Sequence, residues 1–176
     1  LTAGSDYRVR GLLLQSGPQQ IAVDGIVDPQ GPQNLVATVE EVRLGAVSSL
    51  VGLSGLGGTA SGALTLTGPA AAPRLDGRLS MALRSQDRAV GTLRLDASYE
   101  DLALGLDATL AHTEGGTLAA EGTVPTDLRL QAPSPADVGA RPGRLDLSTE
   151  RFPLDWVDPF LDPATIRDVR GILAAD

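Results

Sequence analysis

The chain has no cysteine and no lysine, a single histidine, and only two phenylalanines, two tyrosines and one tryptophan among its 176 residues. Without cysteine, disulfides and thiolate metal sites are excluded. One histidine, His112, leaves too few nitrogen ligands for a zinc centre. Basic residues are scarce and all arginine, and the net charge is −8. That charge argues against nucleic acid, which needs a basic stripe to displace counterions from phosphate. It also argues against docking by charge on an anionic lipid surface. No uninterrupted apolar run is long enough for a membrane-spanning helix.

What the chain has is leucine, alanine, valine, and scattered glycine and proline, a composition that suits many short strands joined by turns. Period-two alternation dominates. Leu93, Leu95, Ala97 and Tyr99 fall on one side of a strand, and Arg94, Asp96, Ser98 and Glu100 on the other. After a turn at Asp101, the residues Leu102, Leu104, Leu106, Ala108 and Leu110 share a face. The pair reads as a hairpin with one apolar and one polar side. A turn over His112–Gly116 and a strand over Thr117–Val124 follow. Leu79, Met81 and Leu83 alternate with Arg78, Ser80 and Arg84, and Leu145 and Leu147 alternate with Arg144, Asp146 and Ser148. Further strands are expected at Tyr7 to Leu14, at Ile21, Val23 and Val27 with Asp24 opposite, and, less regularly, at Val36, Val42 and Leu44. The expected fold is therefore all-β: an elongated, curled, antiparallel or mixed sheet with one or two short helices.

The helices are expected at Val47–Val51 and Leu154–Leu161, where the apolar spacing turns helical. Each is too short to be stable alone. Gln131 to Pro142 reads as a loop. An internal repeat organises the rest. Arg43-Leu44, an amphipathic stretch and Gly62-Ala63-Leu64 resemble Arg151-Phe152, an amphipathic stretch and Gly171-Ile172-Leu173, and one spacing separates both Gly62 from Gly171 and Val51 from Phe160. Residues 1–46 are read as the end of one unit, 47–150 as a complete unit and 151–176 as the start of the next. Leu1 and Asp176 are read as cuts through a longer, repeat-built protein.

No candidate chemistry survives comparison with a structural role. His112 has no nucleophile-elbow serine to serve and reads as an exposed turn residue. Asp155, Asp158 and Asp162 share a helical face but lack the glycine and terminal glutamate of a calcium loop, so they read as a solvated face. The glycine-rich stretch Gly52–Gly62 lacks the lysine and long helix of a phosphate loop and reads as a flexible connector. Trp156, Phe160 and Leu161 form an aromatic patch that either plugs the sheet end or anchors a partner. An enzyme is not expected, and no cofactor or metal is implied.

The run Gly68-Pro69-Ala70-Ala71-Ala72-Pro73-Arg74-Leu75-Asp76-Gly77-Arg78-Leu79 resembles the hairpin string G-x-x-x-x-P-x-L-x-G-x-L of TamB-like and AsmA-like bacterial envelope proteins. A short helix and an x-G-x-L strand precede that string in the family, and Val47–Val51 and Gly62-Ala63-Leu64 stand in those places here. The resemblance implies a periplasmic segment of a protein anchored in the inner membrane through a region outside this chain. It implies a β-sheet folded into an apolar trough, the β-taco. It also implies transfer of phospholipid between the inner and outer membranes, and support of outer-membrane protein assembly with an outer-membrane barrel assembly protein as partner.

Elementary physics leads part of the way independently. A leucine-lined sheet face must be shielded from water, by a second sheet, by helices, or by curling around an apolar ligand. At about 25 cal/mol per Å² of apolar surface, acyl chains are adequate fillers. The groove would be lined by Leu79, Leu83, Leu93, Leu95, Leu102, Leu104, Leu106 and Leu110. The competing reading is a structural or adhesive β-repeat of a surface protein, with the same leucines fully packed by other side chains.

Overall fold

The computed structural model describes residues 7–45, 56–85, 88–131, 141–153 and 172–175. Every element it describes is a strand. They are β1 (Tyr7–Ser16), β2 (Gln19–Val27), β3 (Pro32–Arg43), β4 (Leu56–Pro69), β5 (Arg74–Ser85), β6 (Arg88–Glu100), β7 (Ala103–His112), β8 (Thr117–Pro125), β9 (Arg144–Pro153) and β10 (Ile172–Ala175). They form one sheet in strict chain order, each strand antiparallel to the next. β1 and β10 do not pair with each other, so the sheet is open and not a barrel. The all-β expectation holds, in the antiparallel form. The expected helices at Val47–Val51 and Leu154–Leu161 lie outside the described residues, as do the Asp155, Asp158 and Asp162 group, the Trp156 patch and most of the expected loop before Arg144. The expected repeat boundary between 150 and 151 falls inside β9.

Pairing register turns the alternation of each strand into rows that cross the sheet. One row runs Leu14, Ile21, Val39, Gly62, Leu79, Leu95, Ala108, Ala120, Leu147. Beside it run Leu12, Val23, Ala37, Leu64, Gly77, Ala97, Leu106, Gly122 and Leu145. Two flanking rows are Leu35, Leu66, Leu75, Tyr99, Leu104, Val124 and Val42, Ala60, Met81, Leu93, Leu110, Leu118. All four lie on one face. Several glycines on this face admit no side chain; a Cβ on Gly62 would run into the Arg78 carbonyl, and one on Gly91 into the Ala111 carbonyl. Neighbouring backbones approach too closely there for any larger residue.

Two local features differ from the sequence reading, and a third concerns a face it did not assign. Gly57, Gly58 and Gly62 belong to β4, not to a flexible connector, because β4 extends back to Leu56 and pairs with β5 along its length. Leu102 is a turn residue and not part of a strand. Asp101 and Leu102 form a two-residue hairpin turn between Glu100 and Ala103, both with positive φ (51° and 62°), as the right-handed twist of the flanking strands requires. In β3, Val36 and Val42 do not share a face. A bulge between Val39 and Val42, with Glu41 at φ 48°, adds one residue and inverts the alternation. Val36 therefore faces outward, opposite Asp24 and Thr65, while Val42 and Leu44 join the apolar side.

The meander places two groups of residues at opposite ends of the strands. At the first end Leu83, Val90, Leu110 and Phe152 are buried together, with Leu44, Met81, Leu93 and Leu118 packed against them. Val90 reaches this cluster because a register shift between Leu83 and Arg84 leaves it without a direct partner on β5. At the second end lie the tight connections at 28–31, 70–73 and 101–102. The first is closed by Gln33, whose amide accepts from Asp28 N–H and donates to the Asp28 and Gly31 carbonyls.

Candidate functional site

The two faces of the sheet differ in chemistry, and the apolar one is the candidate site. Between the two ends of the strands its side chains are half-buried over β5–β7 and exposed toward the sheet edges, at Leu12, Leu14, Leu145 and Leu147. Leu75, Leu79, Leu95, Leu104 and Leu106 are all half-buried, and Leu64 is exposed. Among the described residues no second layer lies on them. Of the eight residues expected to line a groove, Leu79, Leu93, Leu95, Leu104 and Leu106 stand on this accessible face. Leu83 and Leu110 share the face but are only 7% and 5% exposed, as members of the packed end cluster. Leu102 is in the turn at the opposite end, where its carbonyl accepts from Thr126 N–H at 3.0 Å.

The two ends of the face are bounded differently. At the first, Phe152 is 2% exposed and its ring meets the His112 ring edge-on, 5.8 Å between centroids at 73°. His112 is accordingly not an exposed turn residue. It is the last residue of β7, half-buried, with Nδ1 accepting from Glu114 N–H at 3.2 Å. Ser85 Oγ is buried near the same end without a hydrogen-bond partner.

At the second end the chain leaving β8 does not turn directly into β9. Residues 126–131 run back across the strand ends. Thr126 N–H donates to Leu102 O, Leu128 N–H to the Tyr99 hydroxyl and Leu130 N–H to Ala70 O, each at 3.0 Å. Tyr99 is 2% exposed at this end. Asp127 and Arg129, on the alternate positions, form a bidentate pair at 2.9 and 2.7 Å. The sequence reading missed this segment. Its one signal was Leu128 and Leu130, spaced by two in a polar stretch that lacks a partner strand in chain order.

The outer face is polar, and over β5–β9 it carries both arginines and carboxylates, with one row mostly acidic. Register places Arg78, Asp96, Asp107, Glu121 and Asp146 in a single row. Carboxylates directly opposite one another repel. The ends of the row are relieved by arginine: Arg78 Nε lies 3.0 Å from Asp96, and Arg144 Nε lies 2.5 Å from Asp146. The hydrogen bond from Arg144 holds the Asp146 carboxyl below its ordinary range. A shallow cavity of about 680 Å³ lies over this row, lined by Thr65, Asp76, Arg78, Asp96, Asp107 and Glu121 among others. It is an open concavity whose lining also takes in Gly77, Ala97, Leu106 and Gly122 of the second apolar row. Among the described residues no group of histidine, aspartate and glutamate is arranged to hold a metal ion. No helix of the described residues is long and apolar enough to cross a membrane.

Comparison with known proteins finds no family model, curated protein or solved structure that matches the chain.

Proposed function

We propose that the leucine rows form the inner surface of an apolar trough of the β-taco kind, which holds the acyl chains of phospholipids. The observation that carries this reading is the middle of the apolar face, which no second layer of the described residues covers. Half-buried leucines run in register across strand after strand, and the outer face is charged. A sheet with one such face needs a cover, and an acyl chain supplies apolar contact without requiring a defined partner geometry. The lining is aliphatic and carries no cluster of polar anchors, which suits ligands that slide better than one held in a single pose.

On this reading, together with the glycine–proline hairpin string at Gly68–Leu79, the chain is a periplasmic segment of a TamB-like or AsmA-like protein. Its membrane anchor lies in a region outside this chain. The trough passes phospholipid between inner and outer membranes and supports outer-membrane protein assembly alongside a barrel assembly protein. It performs no catalysis and uses no cofactor.

A photo-crosslinking residue at Leu95 or Leu104 tests the trough. Phospholipid adducts are expected in cells from both positions, and none from Arg94, which neighbours Leu95 on the outer face. A folded protein that yields no lipid adduct at Leu95 or Leu104 would point instead to a structural or adhesive β-repeat.

A further inference from the structure

We propose that residues 126–131 are a movable strap that controls entry of acyl chains into the apolar face at the second end of the strands; this rests on the trough reading above. The first observation is one of length. β8 and β9 are antiparallel neighbours, and a tight turn suffices to join such a pair. The other connections at this end occupy only residues 28–31, 70–73 and 101–102, whereas β8 and β9 are joined by residues 126–143. The additional chain is not needed for the topology, and its described part is laid along the mouth of the apolar face.

The second observation is the form of attachment. The strap is extended, with Thr126, Leu128 and Leu130 donating their N–H groups to three separate acceptors: the β6–β7 turn, the Tyr99 side chain and the β4–β5 turn. It joins no strand ladder, so it can leave without disturbing the register of β8 or β9. The Asp127–Arg129 pair forms within the strap, with the Asp127 side chain only 7% exposed. Leu128 and Leu130 remain exposed on it. They present apolar side chains at the mouth, where an arriving acyl chain would meet them. Beneath the strap lies Tyr99, in the row that continues through Leu75 and Leu104. Release of the strap uncovers that row from the side, and its return closes it.

The chain has no cysteine, so introduced thiols are unique. The pair Ala71→Cys and Leu130→Cys, joined by a short bis-maleimide whose linker contains a reducible disulfide, fastens the strap to the β4–β5 turn. The full chain carries a photo-crosslinking residue at Leu104 and is incubated with phosphatidylethanolamine–phosphatidylglycerol vesicles. Loss of most of the lipid adduct in the bridged protein, with recovery after reduction, is expected. The single-cysteine variants treated with the same reagent should load normally. A second pair, Asp101→Cys with Thr126→Cys, fastens the other end of the strap and should behave alike if the first pair fails to fold. Equal adduct in bridged and reduced protein overturns the strap while leaving the trough intact. Absence of adduct in the unbridged, folded protein overturns the trough, and the strap with it.

Discussion

The two ends of the strands solve the same problem with different forces. At one end the apolar rows finish in side chains packed against each other, Phe152 on Leu83, Val90 and Leu110. At the other they finish beneath residues 126–131, which donate three backbone hydrogen bonds and lie over the buried Tyr99 and Ala70. Packing is non-directional and proportional to the area it removes from water, so the first end is expensive to open and tolerates no loss of volume. The three hydrogen bonds at the second end are exchanged with water on opening and contribute little net stability each.

Truncation at the packed end is the most severe test of this contrast. Phe152→Ala removes the most deeply buried side chain of the cluster and leaves a cavity that β7 and β9 cannot readily fill. A loss of about 3–5 kcal/mol is expected, measured as a lower urea midpoint by circular dichroism. At the strapped end, Tyr99→Phe keeps the ring and removes only the hydroxyl that accepts from Leu128 N–H. The expected loss is about 1 kcal/mol, with faster amide exchange confined to residues 126–131. If Tyr99→Phe were as damaging as Phe152→Ala, the strap would be part of the folding core and the contrast between the ends would fail.

The same contrast explains what could be read from the amino-acid order. Leu93, Leu95, Ala97 and Tyr99, and Leu104 to Leu110, were legible because alternation alone decides the face of a regular strand. Leu44 was placed in a strand but lies in the turn just after β3, and the bulge at Glu41 that shifts Val42 to the apolar side has no clear local signature. Leu102 sat in phase with its strand and still became a turn residue, because the hairpin twist demanded positive φ there. Glycines 57, 58 and 62 suggested a connector, yet β4 needs small residues where β5 comes close. The strap was invisible for a different reason. Its partners Ala70, Tyr99 and Leu102 are remote in the chain, and its hydrogen bonds use backbone donors that any residue would supply. The acidic row on the outer face arises only once register is known, since its members come from four different strands.

The outer face supplies the smallest expected effect. Asp146 accepts from Arg144 on the same strand, and the arginine keeps its carboxyl below the ordinary range. A carboxyl lowered in the folded state stabilises the fold above its unfolded pKa, and that contribution is lost as pH falls through the folded value. Both groups are fully exposed, where solvent screens the pair and holding two side chains in place costs entropy. Asp146→Asn should therefore leave the urea midpoint unchanged at neutral pH, and the difference between variant and parent should remain absent at about pH 3. Its removal also takes one charge from the repelling row of Asp107, Glu121 and Asp146, which offsets what little the arginine contributes. A midpoint that fell at neutral pH and matched the parent in acid would show that the outer row helps hold the sheet together. In that case the charged face, and not the apolar ends alone, would have to enter any account of why this open sheet is stable.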